Sequence, residues 1–251
     1  MHIRNLPAVT PRYRLAILAA STCGANTGDF LSHNLHLGHW RGLPPLAILF
    51  LAILWLERGS CIATEAYYYW LAIIVIRTAA TNIADLATHD FGLSYAASDL
   101  GLSTLLIGVL LADQVHKHFT PPVRVVLEPV IKLPATDMPY WVAMLVAGTL
   151  GTASGDWVAH SVGLSFGSIV LVGIFGVVLV AAWRFGRMSM SWYWASIVAA
   201  LTAGTTLGDY LAGRHGLHLG LSVSARLNSL HARRRGRALA PRRGAARATA
   251  G

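Results

Sequence analysis

The chain is short of charge. Only 12% of its 251 residues are Asp, Glu, Lys or Arg, against 55% hydrophobic, and a soluble domain of this size carries about twice that charge. The net charge of +9 does not reverse the point. Residues 226–251 hold eight arginines and no acid, so residues 1–225 carry 12 basic against 11 acidic groups, or +1. The basicity belongs to a tail, and a nucleic-acid-binding body is excluded. Cysteine is scarce as well: Cys23 lies in an apolar run and Cys61 in a loop, which makes no disulfide framework. Ten-residue stretches of alternating polarity are missing, which argues against a membrane barrel. There is no dense histidine box and no nucleophile–base arrangement, so the chain is expected not to be an enzyme.

Long apolar runs are there instead. Several reach the ~20 residues that cross a ~30 Å hydrocarbon core, and their Gly-rich composition reads as helix. The expected fold is an all-α integral membrane protein, a bundle of seven to eight transmembrane helices. Spans are expected at about 13–35, 37–56, 67–88, 93–112, 140–160, 164–183 and 192–212. The first half of the second, Leu37 to Pro45, is polar and Pro-broken. Arg4, Arg12 and Arg14 ahead of an apolar run faintly resemble a signal peptide, but the run continues in register into the first repeat and reads as a first span. Five of the ten prolines, Pro121, Pro122, Pro129, Pro134 and Pro139, fall in a loop from Asp113 to Pro139. An eighth span over Leu217–Gly236 would place Arg226 near its middle, at roughly 2.5–3.5 kcal/mol on insertion scales. That end reads as a truncated or frame-altered eighth span, followed by a disordered Arg-rich tail over 226–251.

The spans repeat. Four acids, Asp29, Asp85, Asp156 and Asp209, anchor four copies. Sixteen residues before them stand Tyr13, Tyr69, Tyr140 and Tyr193, followed by Arg14, Trp70, Trp141 and Trp194. Thr22, Thr78, Thr149 and Thr202 lie seven before. Small residues sit five before (Gly24, Ala80, Gly151, Gly204) and one before (Gly28, Ala84, Gly155, Gly208). Four after come His33, His89 and His160, with Gly213 in the fourth copy and His215 two positions on. Eight after come Leu37, Leu93, Leu164 and Leu217. Glu57, Asp113 and Arg184 close three hairpins, each 28 residues past its acid. So many coincident offsets identify tandem repeats: repeat 1 over 13–58, repeat 2 over 67–113, repeat 3 over 140–184 and an incomplete repeat 4 over 192–225. Residues 1–12 precede them, and 114–139 link the second and third.

At about 100° per residue, the Thr, Asp and His positions fall within roughly 60° of one another and predict one polar stripe per odd-numbered helix. The small residues lie about 100–140° away and predict close helix packing. Ionisable groups in a span face the bundle interior or a cavity. The polar-path candidates are Asp29, His33, Asp85, His89, Asp156, His160, Asp209, Thr22, Thr78, Thr149 and Thr202. Imidazole suits Zn, Cu, Fe and Ni and carboxylate suits Mn and Mg, so Asp29, His33, Asp85, His89, Asp156 and His160 are candidate ligands of a divalent metal ion. Asn26, Asn82, Arg77 and Asp99 are secondary candidates: the asparagines as amide ligands or interhelix bonds, Arg77 as the partner of a carboxylate or a gate. His36, His39 and His218 read as solvated turn residues. Tyr67–Trp70 and Trp192–Trp194 read as interface anchors, and Glu57, Glu65, Asp113, Glu128 and Asp137 as solvated span-end charges. Two functions stay open: translocation of a small cation or proton, or a scaffold in which Asp, Thr and His only tie helices together.

On one side of the spans lie Arg4, Arg12, Arg14, Arg58, Lys117, Arg124, Lys132, Arg184 and Arg187; on the other, Arg41 and Arg214. The asymmetry predicts a cytoplasmic N-terminus and a cytoplasmic 114–139 loop. Two-span copies all enter from the same side, so the repeats are parallel about an axis along the membrane normal. The acids then share one depth, about 22 Å from the cytoplasmic start. In its aromatic openings (Tyr69-Trp70, Tyr140-Trp141, Tyr193-Trp194), Gly-Asp pairs (Gly28-Asp29, Gly155-Asp156, Gly208-Asp209) and following Gly-Leu pairs (Gly92-Leu93, Gly163-Leu164, Gly216-Leu217), the chain resembles a bacterial tandem-repeat membrane-anchored family of unknown function. The resemblance covers about residues 13–225 and implies an inner-membrane, multi-pass protein of four two-span repeats. It supplies no activity.

Overall fold

Short polar side chains and prolines set where the helices begin. Thr10 accepts the amide of Tyr13 (3.4 Å) with Pro11 in the first turn of α1 (Pro11–Asp29), and Asp137 accepts that of Tyr140 (3.2 Å) ahead of α5 (Met138–Val162). Such caps satisfy amides that have no helical partner. The computed structural model describes residues 9–58, 62–119, 136–185 and 189–212. The remaining helices are α2 (Gly38–Glu57), α3 (Ile62–Asp85), α4 (Tyr95–Phe119), α6 (Leu164–Phe185) and α7 (Met190–Ala212). No β-strand occurs among the described residues. The expected eighth span, the Arg-rich tail, and His215, Leu217 and His218 lie outside them.

Four helices make a closed ring. α1 packs on α3 and α7, and α5 packs on the same two. Their tyrosines meet at one end and their acids at the other, so the four run parallel. The small residues predicted to pack do so. A Cβ on Gly24 would lie 2.4 Å from that of Arg77 on α3, one on Gly151 2.9 Å from that of Leu201 on α7, and one on Gly204 2.4 Å from that of Ser21 on α1. Each contact seats one inner helix against the next in the ring, at a distance that any larger side chain would forbid.

The other three helices clad this ring. α2 covers α3, α4 covers α5 and α6 covers α7, so each even-numbered helix packs on the inner helix of the following copy. Their outer faces are apolar: Ile48, Leu100, Ile107, Ile169, Val177 and Trp183 are all exposed. Four helical stretches, Gly38–Glu57, Ala66–Asp90, Tyr95–His116 and Leu164–Arg184, are long and apolar enough to cross a membrane.

Several expectations change. α2 is one helix from Gly38, with Pro44 and Pro45 inside it. The carbonyls of Trp40 and Arg41, which the prolines leave without donors, belong to exposed residues, so the usual cost of an interior proline is relieved. Asp113 to Phe119 extend α4 rather than opening a loop, and Pro139 stands in the first turn of α5. Tyr69, Tyr193 and Trp194 are core residues, not interface anchors; Tyr67 is exposed. Glu57 is buried rather than solvated.

Seven residues after the first three acids the backbone takes a left-handed φ, at Gly92 (φ 66°), Gly163 (φ 88°) and, in the first copy, His36 (φ 55°). A side chain there costs about 1 kcal/mol or more. His36→Gly is therefore expected to raise the thermal unfolding midpoint of purified protein by the equivalent of about 1 kcal/mol. An unchanged midpoint would mean that the imidazole earns its place by a contact.

Candidate functional site

Parallel helices of one repeat bring equivalent side chains to one level, and successive levels stack along the ring axis. At the N-terminal end the hydroxyls of Tyr13, Tyr69, Tyr140 and Tyr193 form a closed square. The sides are 2.7 Å (13–69), 2.7 Å (69–140), 3.2 Å (140–193) and 2.9 Å (193–13). One turn further on, Ile17, Ile73, Met144 and Ile197 are completely buried. The next level holds Ser21, Arg77, Gly148 and Leu201, with Arg77 fully buried. Its Nη2 donates to Oγ1 of Thr205 (3.0 Å) and of Thr152 (3.4 Å), crossing from α3 to α5 and α7.

Above Arg77 the axis opens. Asp29, Asp85, Asp156 and Asp209 line one cavity of about 210 Å³, with Thr81, Thr152, Thr205, His33 and His89. The four acids thus converge as the repeat spacing predicts. The threonines are buried, Asp29, Asp156 and Asp209 are half-buried, and His33 and His89 are exposed, so the cavity opens at the histidine end. No helix-to-helix hydrogen bond among the described residues ends on any of the four carboxylates. Of the described basic groups, His39 alone comes within 4 Å of one, its Nε2 lying 3.9 Å from Asp85.

The polar stripe is not the predicted row. Thr22, Thr78, Thr149 and Thr202 do not line the cavity; each donates to the carbonyl four residues earlier, and Thr22 also reaches that of Gly204. The lining threonines stand four residues before the acid, where the first copy has Ala25. From the tyrosines to the acids the axial positions are spaced by four. A straight helix would turn such a row away by roughly 160° over sixteen residues, so the helices incline to keep it on the axis, as four-step ridges do when they interlock.

His160 also departs from expectation. After Asp29 and Asp85 the backbone widens into π-helical turns at Phe30–Asn34 and Leu86–Asp90, whereas α5 stays regular through Val162. The wider turn rotates His33 and His89 back toward the axis, while the His160 ring packs 5.9 Å from that of Tyr95. In its stead comes His39, from the first turn of α2. Its Nδ1 lies 3.1 Å from both carboxylate oxygens of Asp90, and its ring is 5.7 Å from His33 and 6.5 Å from His89. His39 is not a solvated turn residue but a bridge between a surface acid and a cavity acid.

The secondary candidates scatter. Among the described residues Arg77 makes no ion pair within 4 Å, contrary to the expected carboxylate partner. Asp99 instead accepts a hydrogen bond from Ser154 (2.8 Å) on α5. Asn82 faces Gly42 of α2 and Asn26 faces Gly208 of α7, at helix contacts rather than in the cavity. Among the described residues no group of three or more His, Cys, Asp or Glu side chains is placed to hold a metal ion. The arrangement gathers four carboxylates from four helices around one cleft, large enough for several water molecules at ~30 Å³ each.

Residues 68–117 and 139–188 each match the Repeat of Unknown Function (DUF347). Each stretch covers an inner helix and the outer helix that follows it, α3–α4 and α5–α6, so the chain carries tandem copies of a repeat whose function is unknown. No curated protein and no solved structure matches the chain.

Proposed function

We propose that this is a polytopic membrane protein that translocates protons or a small cation through the four-acid cavity. The observation that carries it is the convergence of Asp29, Asp85, Asp156 and Asp209, from four different helices, on one open cleft. Carboxylates kept only to tie helices together would bond across helix contacts. Here Ser, Thr and Tyr hydroxyls do that work, as in Ser21 to the carbonyl of Leu201 and Ser168 to that of Thr206, while the acids face the space between. Bilayer placement is supported by the apolar outer faces of α2, α4 and α6, far larger than a soluble surface tolerates. The Lys/Arg asymmetry supports a cytoplasmic tyrosine end with the cavity mouth on the opposite side.

The test is a flux measurement on the full chain reconstituted in vesicles with a pH-sensitive dye inside. Asp156→Asn and Asp209→Asn are each expected to reduce proton flux about a hundredfold or more, the usual weight of a positioned proton carrier, with folded yield retained. Loss of folded protein from both variants, with no flux from the wild type, would favour the scaffold.

A further inference from the structure

We infer that the mouth of the cavity is a binding site for one divalent transition-metal ion of the class of Zn2+ or Ni2+. Its fixed ligands are Nε2 of His39 and a carboxylate oxygen of Asp85, and Asp90 orients His39. The site does not depend on the transport reading, since binding at the mouth asks nothing of the axis below it.

Hydrogen-bond geometry leads to it. Nδ1 of His39 lies 3.1 Å from both carboxylate oxygens of Asp90. An ionised carboxylate only accepts, so the imidazole proton sits on Nδ1 and is donated to Asp90. Nε2 then keeps a lone pair, and what it faces is another acceptor, Oδ2 of Asp85 at 3.9 Å. Two acceptors turned toward one another need a cation between them. The gap is too long for a hydrogen bond and just short of two metal–ligand bonds of about 2.1 Å each. A carboxylate behind the imidazole is also how metal-binding histidines have their tautomer and aim fixed.

The surroundings suit a cation. The side chains of His39 and Asp85 are nearly enclosed, at 11% and 10% exposed, and Asp29 lines the same cavity as Asp85. Clefts lined by one sign of charge concentrate ions of the other. The rings of the exposed His33 and His89 lie 5.7 Å and 6.5 Å from that of His39. Two imidazoles on one ion keep their ring centres within about 6.4 Å at that bond length, so His33 is near enough to become a third ligand. As the side chains lie, no three such groups among the described residues converge on one point. Water therefore completes the ion's shell, which makes the site one of exchange rather than a closed structural centre. Imidazole among the ligands favours Zn2+ or Ni2+ over Mg2+. The position of His39 holds Tyr95 and Phe166 in the next two copies, so neither can repeat the site.

The test is isothermal titration of Zn2+ into the full chain, purified in detergent without a histidine tag and stripped of metal by a chelator. Wild type is expected to bind one Zn2+, and to gain thermal stability from Zn2+ but not from Mg2+, as a ligand held only by the native state provides. Asp90→Ala should weaken Zn2+ binding about ten- to hundredfold, the usual weight of such an outer partner, with the metal-free midpoint unchanged. His39→Gln removes a ligand outright and should cost more than that. His160→Gln, at a ring that packs on Tyr95, should bind as wild type does. Should His39→Gln fail to fold, Asp90→Ala carries the test, because Asp90 is exposed. No Zn2+ binding by wild type would overturn the site and leave a doubly protonated His39 to bridge the two acids. Wild-type affinity in folded His39→Gln or Asp90→Ala would overturn it too. Proton flux is measured separately, and its absence with Zn2+ binding intact would sink the transport reading alone.

Discussion

Gly204→Ala yields little folded protein. The added methyl would sit 2.4 Å from Cβ and 2.7 Å from Oγ of Ser21, and 2.8 Å from the carbonyl oxygen of Leu18. A flexible side chain could swing away; a helical backbone cannot. α1 and α7 must separate, and two bonds that cross their contact stretch: Ser21 to the carbonyl of Leu201 (2.8 Å) and Thr22 to that of Gly204 (3.0 Å). Overpacking costs about 1–3 kcal/mol and each lost bond about 1 kcal/mol. Together they consume much of the 5–15 kcal/mol that holds a typical domain. Gly108→Ala and Gly173→Ala are the controls, since nothing lies within 4 Å of a Cβ at either site. Both stand inside outer helices, where alanine is favoured over glycine by up to about 1 kcal/mol. Yield of monodisperse protein after detergent extraction, together with the thermal midpoint, reads the contrast. A Gly204→Ala protein as stable as the Gly108→Ala one would mean that α1 and α7 do not approach as described.

The close packing and the meeting of the acids were legible because each rests on a residue type that recurs in every copy. The axial row was harder to see for the same reason. Threonine seven before the acid recurs four times, and threonine four before it only three, because the first copy has Ala25. Counting matches therefore favours the row that serves the backbone over the row that lines the cavity. The difference is helix inclination, a property of four helices together that no single stretch encodes. His39 was hidden by its singularity: the same position holds Tyr95 and Phe166 in the next two copies. Tyr95 is the residue against which His160 packs, so one position draws a histidine into the site in the first copy and holds another out of it in the third. The π-helical turns that aim His33 and His89 have no marker in composition or spacing.

The second large effect concerns the tyrosine square. In a closed ring of four hydroxyls each donates one bond and accepts one, and all four rings are buried, so no water stands ready to replace a missing member. Tyr69→Phe removes both 2.7 Å sides at once. Of the two neighbours, one loses its acceptor and the other its donor, and a buried O–H left without an acceptor costs about 1–3 kcal/mol. The quadruple variant Tyr13→Phe, Tyr69→Phe, Tyr140→Phe, Tyr193→Phe leaves no polar group stranded, and replacing all partners by apolar groups of the same shape is nearly neutral. The expected result is a single substitution more costly than all four together, a strong departure from additivity of the kind that marks residues in one network. Thermal unfolding of the two proteins in the same detergent decides it. Four equal and additive losses would show that the hydroxyls bond elsewhere, and the tyrosine end would then lack the shared seal that ties the four inner helices together.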